Sequence, residues 1–416
     1  MPDVFVELVD ADGAPVPAQL AFVPSHSRTS SGTVQTGPSG KLGLSIERVD
    51  NLEMLVMPKR AGFWSSHHTL RAGLNRVVCA PIKTTEAWWA RCTGLANVTK
   101  RGEGVVIGIV DTSFESQAGI DHVEIHGVGR APRRRDDDGS IWRHGEAIAR
   151  ILGDRSPVLG GMAQGARIVC YTADCVPPVA AQALAEPHNG LVFDHDQLEL
   201  DPAEVASGIM SLAKQHKADV INLSAGAFAD PSQFSGLSDV IEAAFDIGTV
   251  CIVAAGNTEC DELAFPAYVD RCISVGAIGC CKWGPPGSIA ELERMRSVAT
   301  GGRSGELDGY GPVFHWVDSA YGPGLEAVAP GVGIVISRDG RPAFDVVGTS
   351  FAAPVATGAL AVALSMDHDY LGLPRTSERS ERAVGVFRSL CKQTTISPRF
   401  VGRGVPFLRE GTNIDF

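Results

Sequence analysis

The sequence predicts an α/β protein built on a doubly wound parallel sheet, with a small β-rich domain ahead of it. Three observations lead there. From residue 104 onward, apolar runs rich in β-branched residues alternate with longer helical patterns, as parallel strands alternate with their crossover helices. Residues 1–83 carry short alternating runs separated by turn signals and show no helical period. A chain of 416 residues also exceeds what one hydrophobic core usually covers, so two units are expected, 1–83 and 84–416.

In the first unit the runs Val4–Val9, Ala18–Val23, Lys41–Ile46 and Leu52–Met57 predict strands, separated by Asp-Gly, Pro-Ser and Gly-Pro-Ser-Gly turns. The stretch Val9–Ala18 resembles the opening of transthyretin-like or carboxypeptidase-regulatory β-domains.

In the second unit, Gly104–Val110 is an unbroken apolar run, the composition of a strand buried on both faces, and it ends at Asp111. Arg143-His144-Gly145 opens a helical run, Glu146–Leu152. A strand at 166–171, a helix at 203–217, a strand at 219–224 and a helix at 237–247 follow. Strands at 249–255 and 272–277 continue the alternation, the first leading into Gly256-Asn257. After Gly348, the small-residue run Val355–Ala361 predicts a closely packed helix with Ser350 at its start. Residues 372–385 read as a polar loop entering a final helix, Ala383–Thr394. Ligands of such sheets bind beyond the carboxyl ends of the strands, where Asp111, Ser224–Gly226 and Asn257 fall.

A serine at a helix start is a nucleophile only beside a base and an orienting carboxylate, because a free hydroxyl attacks an amide too weakly at neutral pH. Asp111, His144 and Ser350 supply the three types in that chain order. Taken singly, each has a plainer reading, as turn cap, surface histidine or helix cap. Together, and with Gly161–Ile168, Asp219–Gly226, Val253–Asn257 and Ala327–Gly331 in sequence around them, they resemble the subtilisin-like serine proteases over residues 85–410. The resemblance implies that Asp111 orients His144, that His144 is the general base for Ser350, and that Asn257 donates to the oxyanion. It also implies that Ser224, Ala225, Gly226 and Gly256 line the substrate groove. With Glu259, Asp261 and Glu262 close behind Asn257, two readings stay open: an acidic pocket edge selecting Arg or Lys before the cut, or carboxylates facing solvent beside a pocket that takes apolar residues. Two departures stand out: Thr112-Ser113 where Ser-Gly or Thr-Gly is usual, and Glu146 where Thr is usual, which adds negative charge near the base.

Many members of that family carry an inhibitory propeptide ahead of the protease domain. For residues 1–83 this is the alternative to an accessory β-domain, and the lack of helical period favours the β-domain. Two insertions carry charge. Asp121–Ser140 holds His122, His126, Arg130, Arg133–Arg135 and Asp136–Asp138, and reads as a solvated loop. Pro177–Pro202 holds Asp194, His195, Asp196 and Asp201; relatives often bind calcium, so calcium stays open although no EF-hand spacing is present. No metal site and no required cofactor are expected.

The balance of 36 basic against 48 acidic residues gives a net charge of −12, which argues against nucleic acid and anionic membranes as partners. Neither a signal peptide nor a run of 18 apolar residues is found, so a cytoplasmic protein with its ten cysteines as thiols is expected. The expected function is serine endopeptidase action through an acyl-enzyme on a restricted intracellular protein or peptide precursor. The alternative is a catalytically weak or regulated peptide-binding protein of the same fold. A lipase-like hydrolase is disfavoured, since Ser350 sits in Gly-Thr-Ser-Phe-Ala and not in a Gly-x-Ser-x-Gly elbow. The oligomeric state stays open.

Overall fold

The computed structural model describes residues 3–24, 33–46, 49–84, 86–112, 116–127, 144–173, 175–176, 199–226 and 236–409. In Asp3–Val9 the side chains alternate: Val4, Val6 and Leu8 are buried while Phe5 is exposed. This strand lies between Lys41–Ser45, antiparallel, and Gly73–Val78, parallel. A second sheet has the order Thr33–Gln35, Ala18–Pro24, Leu52–Pro58, Ser66–Thr69. Both sheets turn their apolar faces into one core, in which Val4, Val6 and Leu8 meet Leu20, Phe22, Met54 and Val56. Ser66–Thr69 and Gly73–Val78 lack a clean apolar alternation, which is why the sequence pattern did not mark them.

The outer face of the second sheet docks on the rest of the chain. Ala21, Leu55 and Met57 pack on Ile289, and Trp64 meets Trp283 edge to face at 5.8 Å. The Ser65 N–H donates to Asp345 Oδ1 at 2.8 Å. Asp345 is buried, and its other oxygen has no partner among the described residues. Burial pushes this carboxyl up to about 6, against the opposing hydrogen bonds from Ser65.

Among the described residues the main sheet has nine strands. Its order is Ser304–Leu307, Gly311–His315, Cys272–Cys280, Val250–Ala254, Val220–Leu223, Val106–Asp111, Arg167–Thr172, Glu124–His126, with Ala327–Pro330 also paired to Cys272–Cys280. The pairs from Cys272–Cys280 across to Glu124–His126 are all parallel. The chain runs from Val106–Asp111 to one side of the sheet and then returns to place Val220–Leu223 on its other side. The strand order therefore reverses at that pair, and ligands of such sheets bind beyond the strands' carboxyl ends at a reversal of this kind.

Thr349–Met366 is buried almost throughout and packs on this sheet and on His144–Gly153. It is long and apolar enough to cross a membrane, but 89% of that stretch is enclosed by protein, the position of a core helix. The helix expected at Ala383–Thr394 is Ser377–Leu390, and a short helix, Pro398–Val401, follows it. The charged run that suggested a loop is the exposed face of an amphipathic helix, whose Ala383, Val386, Phe387 and Leu390 are buried.

Candidate active site

Asp111 ends its strand with a buried side chain. One carboxylate oxygen accepts from the N–H of Thr112 at 2.7 Å and from its hydroxyl at 3.2 Å. Nδ1 of His144 lies 2.9 and 3.0 Å from the two oxygens. That contact makes Nδ1 the protonated nitrogen of the neutral ring and leaves Nε2 as the base. His144 is the first residue of His144–Gly153. The close approach depends on Gly145, where a Cβ would stand 2.5 Å from the Thr112 carbonyl. Burial disfavours the imidazolium, but the charge and hydrogen bond of Asp111 outweigh it and hold His144 above its usual value of 6.5.

Ser350 comes from a different element, the first turn of Thr349–Met366. Gly348, at φ 151° and ψ 159°, takes a backbone conformation essentially confined to glycine and turns the chain into Thr349–Met366. The Ser350 N–H lies in the first turn, where the helix offers it no carbonyl. The Phe351 ring rests 5.5 Å from that of His144. The Ser350 hydroxyl donates to the carbonyl of Ser224 at 3.2 Å, and no hydrogen bond joins it to His144 among the described residues.

Pro354 lies inside this helix and has no N–H for the carbonyl four residues earlier, that of Ser350. The Ser224 hydroxyl fills the gap, donating to that carbonyl at 2.7 Å. Ser224 in turn accepts from Asn222 Nδ2 at 2.9 Å, and Asn222 Oδ1 accepts from Thr357 at 3.2 Å. Asn222 and Thr357 are fully buried. The sequence reading missed both, although an Asn inside the apolar run Val220–Leu223 was the available signal.

Asn257 follows Val250–Ala254. Its amide oxygen accepts from the Thr349 N–H at 2.9 Å and from the Thr349 hydroxyl at 2.7 Å. Nδ2 lies beside Gly348, where a glycine Cβ would be 3.7 Å away. The Gly256 N–H donates to the same Thr349 hydroxyl at 3.3 Å. Two parts of the expected groove also meet, since a Cβ on Gly226 would lie 3.1 Å from both the Ala264 side chain and the Phe265 carbonyl.

Several expectations need correction. Glu259 pairs with Arg303 at 3.5 Å and Asp261 with Arg399 at 3.0 Å, so two of the three carboxylates behind Asn257 have a cation beside them. Glu146 is buried against Arg150 at 3.0 Å and Arg338 at 3.4 Å, and the lift on His144 comes from Asp111. Asp201 caps Pro202–Lys214, accepting from the Ala203 N–H at 2.8 Å. Asp194, His195, Asp196 and the charged run from Arg130 to Asp138 lie outside the described residues.

The profile of the subtilase family matches residues 102–402. The chain belongs to the subtilase family. This subtilase is 25% identical over 293 residues to a thermophilic serine proteinase of Bacillus sp. (strain AK1), a match covering 68% of this chain and 58% of that protein. It is 25% identical over 273 residues to subtilisin DY of Bacillus licheniformis, covering 64% of this chain and 78% of that one. Among solved structures, a serine-to-alanine mutant of the protease domain of PatA superposes with a TM-score of 0.51 at 19% identity, over 74% of this chain and 93% of that one. The shared fold is that of the subtilisin-like proteases.

Proposed function

We propose that this subtilase is a serine endopeptidase acting on protein or peptide substrates. The observation that carries the proposal is the convergence of the Asp111–His144 pair and the amide of Asn257 on the helix start that bears Ser350. Catalysis requires the Ser350 hydroxyl to turn from the Ser224 carbonyl to Nε2 of His144; in unliganded sites such bonds are often long and tighten only with substrate. His144 then takes the proton as Ser350 attacks the scissile carbonyl, and Asp111 stabilises the imidazolium. The Ser350 N–H and Asn257 Nδ2 receive the oxyanion. Collapse of the tetrahedral intermediate passes the proton from His144 to the leaving amine. Water, activated by the same base, then hydrolyses the acyl-enzyme.

A fluorophosphonate probe tests this together with a casein or peptide library. Labelling and hydrolysis by the intact chain, both lost in Ser350→Ala, are expected. Hydrolysis that persists in purified Ser350→Ala would end the assignment. The Ser350–Ser224 hydrogen bond favours one second reading, a peptide-binding protein of weak turnover. That reading predicts peptide binding with neither labelling nor cleavage.

A further inference from the structure

We propose that Glu124, His126 and His216 form a binding site for one divalent transition-metal ion of the zinc class. The site is separate from the catalytic residues and does not depend on the protease reading. Glu124 and His126 stand two apart on one edge strand, so the period of two puts both on the same face. His216 comes from the turn after Pro202–Lys214, where the His216 N–H returns to the Ser211 carbonyl at 3.3 Å and Lys217 takes φ 58°. That turn brings the His216 ring centroid to 4.2 Å from that of His126. One ligand atom from each of the three side chains lies within 4.8 Å of the others.

Two imidazoles and a carboxylate are a donor set suited to zinc, nickel or cobalt and unlike the all-oxygen sets of calcium. Zinc holds such atoms at about 2.0–2.1 Å, which puts neighbouring ligands roughly 3.3 Å apart. Closing the present spacing takes small rotations of side chains that are half-exposed, 42% for His126 and 41% for Glu124. Arg167 holds the frame: Nε and Nη2 each reach a Glu124 oxygen at 2.7 Å, while Nη1 donates to the His216 carbonyl at 3.3 Å. A carboxylate has about four lone-pair positions, so the two given to Arg167 leave others for a metal. Such a partner fixes a ligand's orientation from outside the coordination sphere. No local sequence pattern marks the site, because His216 lies far along the chain from the other two. A bound ion would tie the last strand on this side of the sheet to the end of a helix.

The test uses the full chain, free of any histidine tag, titrated with Co²⁺ and Zn²⁺ at neutral pH. One ion per chain is expected, with weak Co²⁺ d–d bands, no thiolate charge-transfer band, and a Zn²⁺-induced rise in melting temperature that a chelator reverses. His126→Ala and His216→Ala should each lose the spectrum and the thermal shift while keeping the wild-type far-ultraviolet circular dichroism. Arg167→Gln should weaken binding by about tenfold or more. Absence of stoichiometric binding, a cobalt–thiolate spectrum, or unchanged binding in both histidine variants would overturn the proposal.

Discussion

Ser224 donates its hydroxyl to the carbonyl of Ser350, the carbonyl that Pro354 leaves without a helical donor. The helix start carrying Ser350 is thus held from the neighbouring strand, through Ser224 and the buried Asn222–Thr357 pair behind it. Ser224→Ala should leave that carbonyl unsatisfied, at a cost of about 1–3 kcal/mol, and let the helix start shift. The expected result is a lower kcat with a smaller change in KM, measured beside thermal unfolding. Unchanged kcat and stability would show that water replaces the hydroxyl fully.

Asn257 is held by both donors of Thr349. Asn257→Ala should lower kcat by roughly 10²–10³ and leave KM nearly unchanged, because the amide acts mainly on the transition state. Thr349→Val keeps the backbone donor and removes the hydroxyl, so a loss of about fivefold to tenfold is expected. Steady-state kinetics on one fluorogenic peptide compares the two, and an equal loss in both would contradict the ranking.

The pH profile follows from His144. General-base action needs the neutral ring, so kcat/KM should rise with pH and reach half its plateau above 6.5, because Asp111 favours the imidazolium. Asp111→Asn should move the midpoint down and reduce kcat by about 10⁴. A wild-type midpoint at or below 6.5 would mean that burial outweighs the Asp111 charge.

Asp345 makes stability depend on pH in the opposite sense from a salt-bridged carboxylate. Its pKa is raised from 3.8 to about 6 in the fold, so its contribution is fully present below 3.8 and is lost as pH rises through about 6. Above that, the buried charge costs up to about 3 kcal/mol. Asp345→Asn can still accept from the Ser65 N–H and should be more stable than wild type at pH 8, with the difference vanishing near pH 4. Denaturant unfolding at the two pH values measures it. A variant less stable at pH 8 would rule out the charge effect.

Residues 1–83 are proposed to stay attached to the working enzyme. Their second sheet is joined to the protease unit through Ile289, Trp283 and Asp345, an interface with its own buried apolar contacts. Intact-mass measurement of wild type beside Ser350→Ala checks this. Loss of that segment in wild type alone would identify a propeptide.

Much of this molecule could be read along the chain. The apolar run ending at Asp111, the His144-Gly145 step and the turn before Ser350 each carry their signal within a few residues. Strand and helix composition follow from local burial, and each of these functional groups sits at an element's end. The start of the helix Ser377–Leu390 is not legible in the sequence because its exposed face is as polar as a loop, and only the burial of Val386, Phe387 and Leu390 shows otherwise.

By itself the sequence determined the fold class and the family, because local pattern and chain order encode these. Only the tertiary structure decided what surrounds each charge. Glu146 finds Arg150 and Arg338, and Glu259 finds Arg303. His216 finds His126 and Glu124. Apart from Arg150, those partners are distant in the chain. Electrostatic interaction depends on separation in space and on burial, neither of which sequence spacing records.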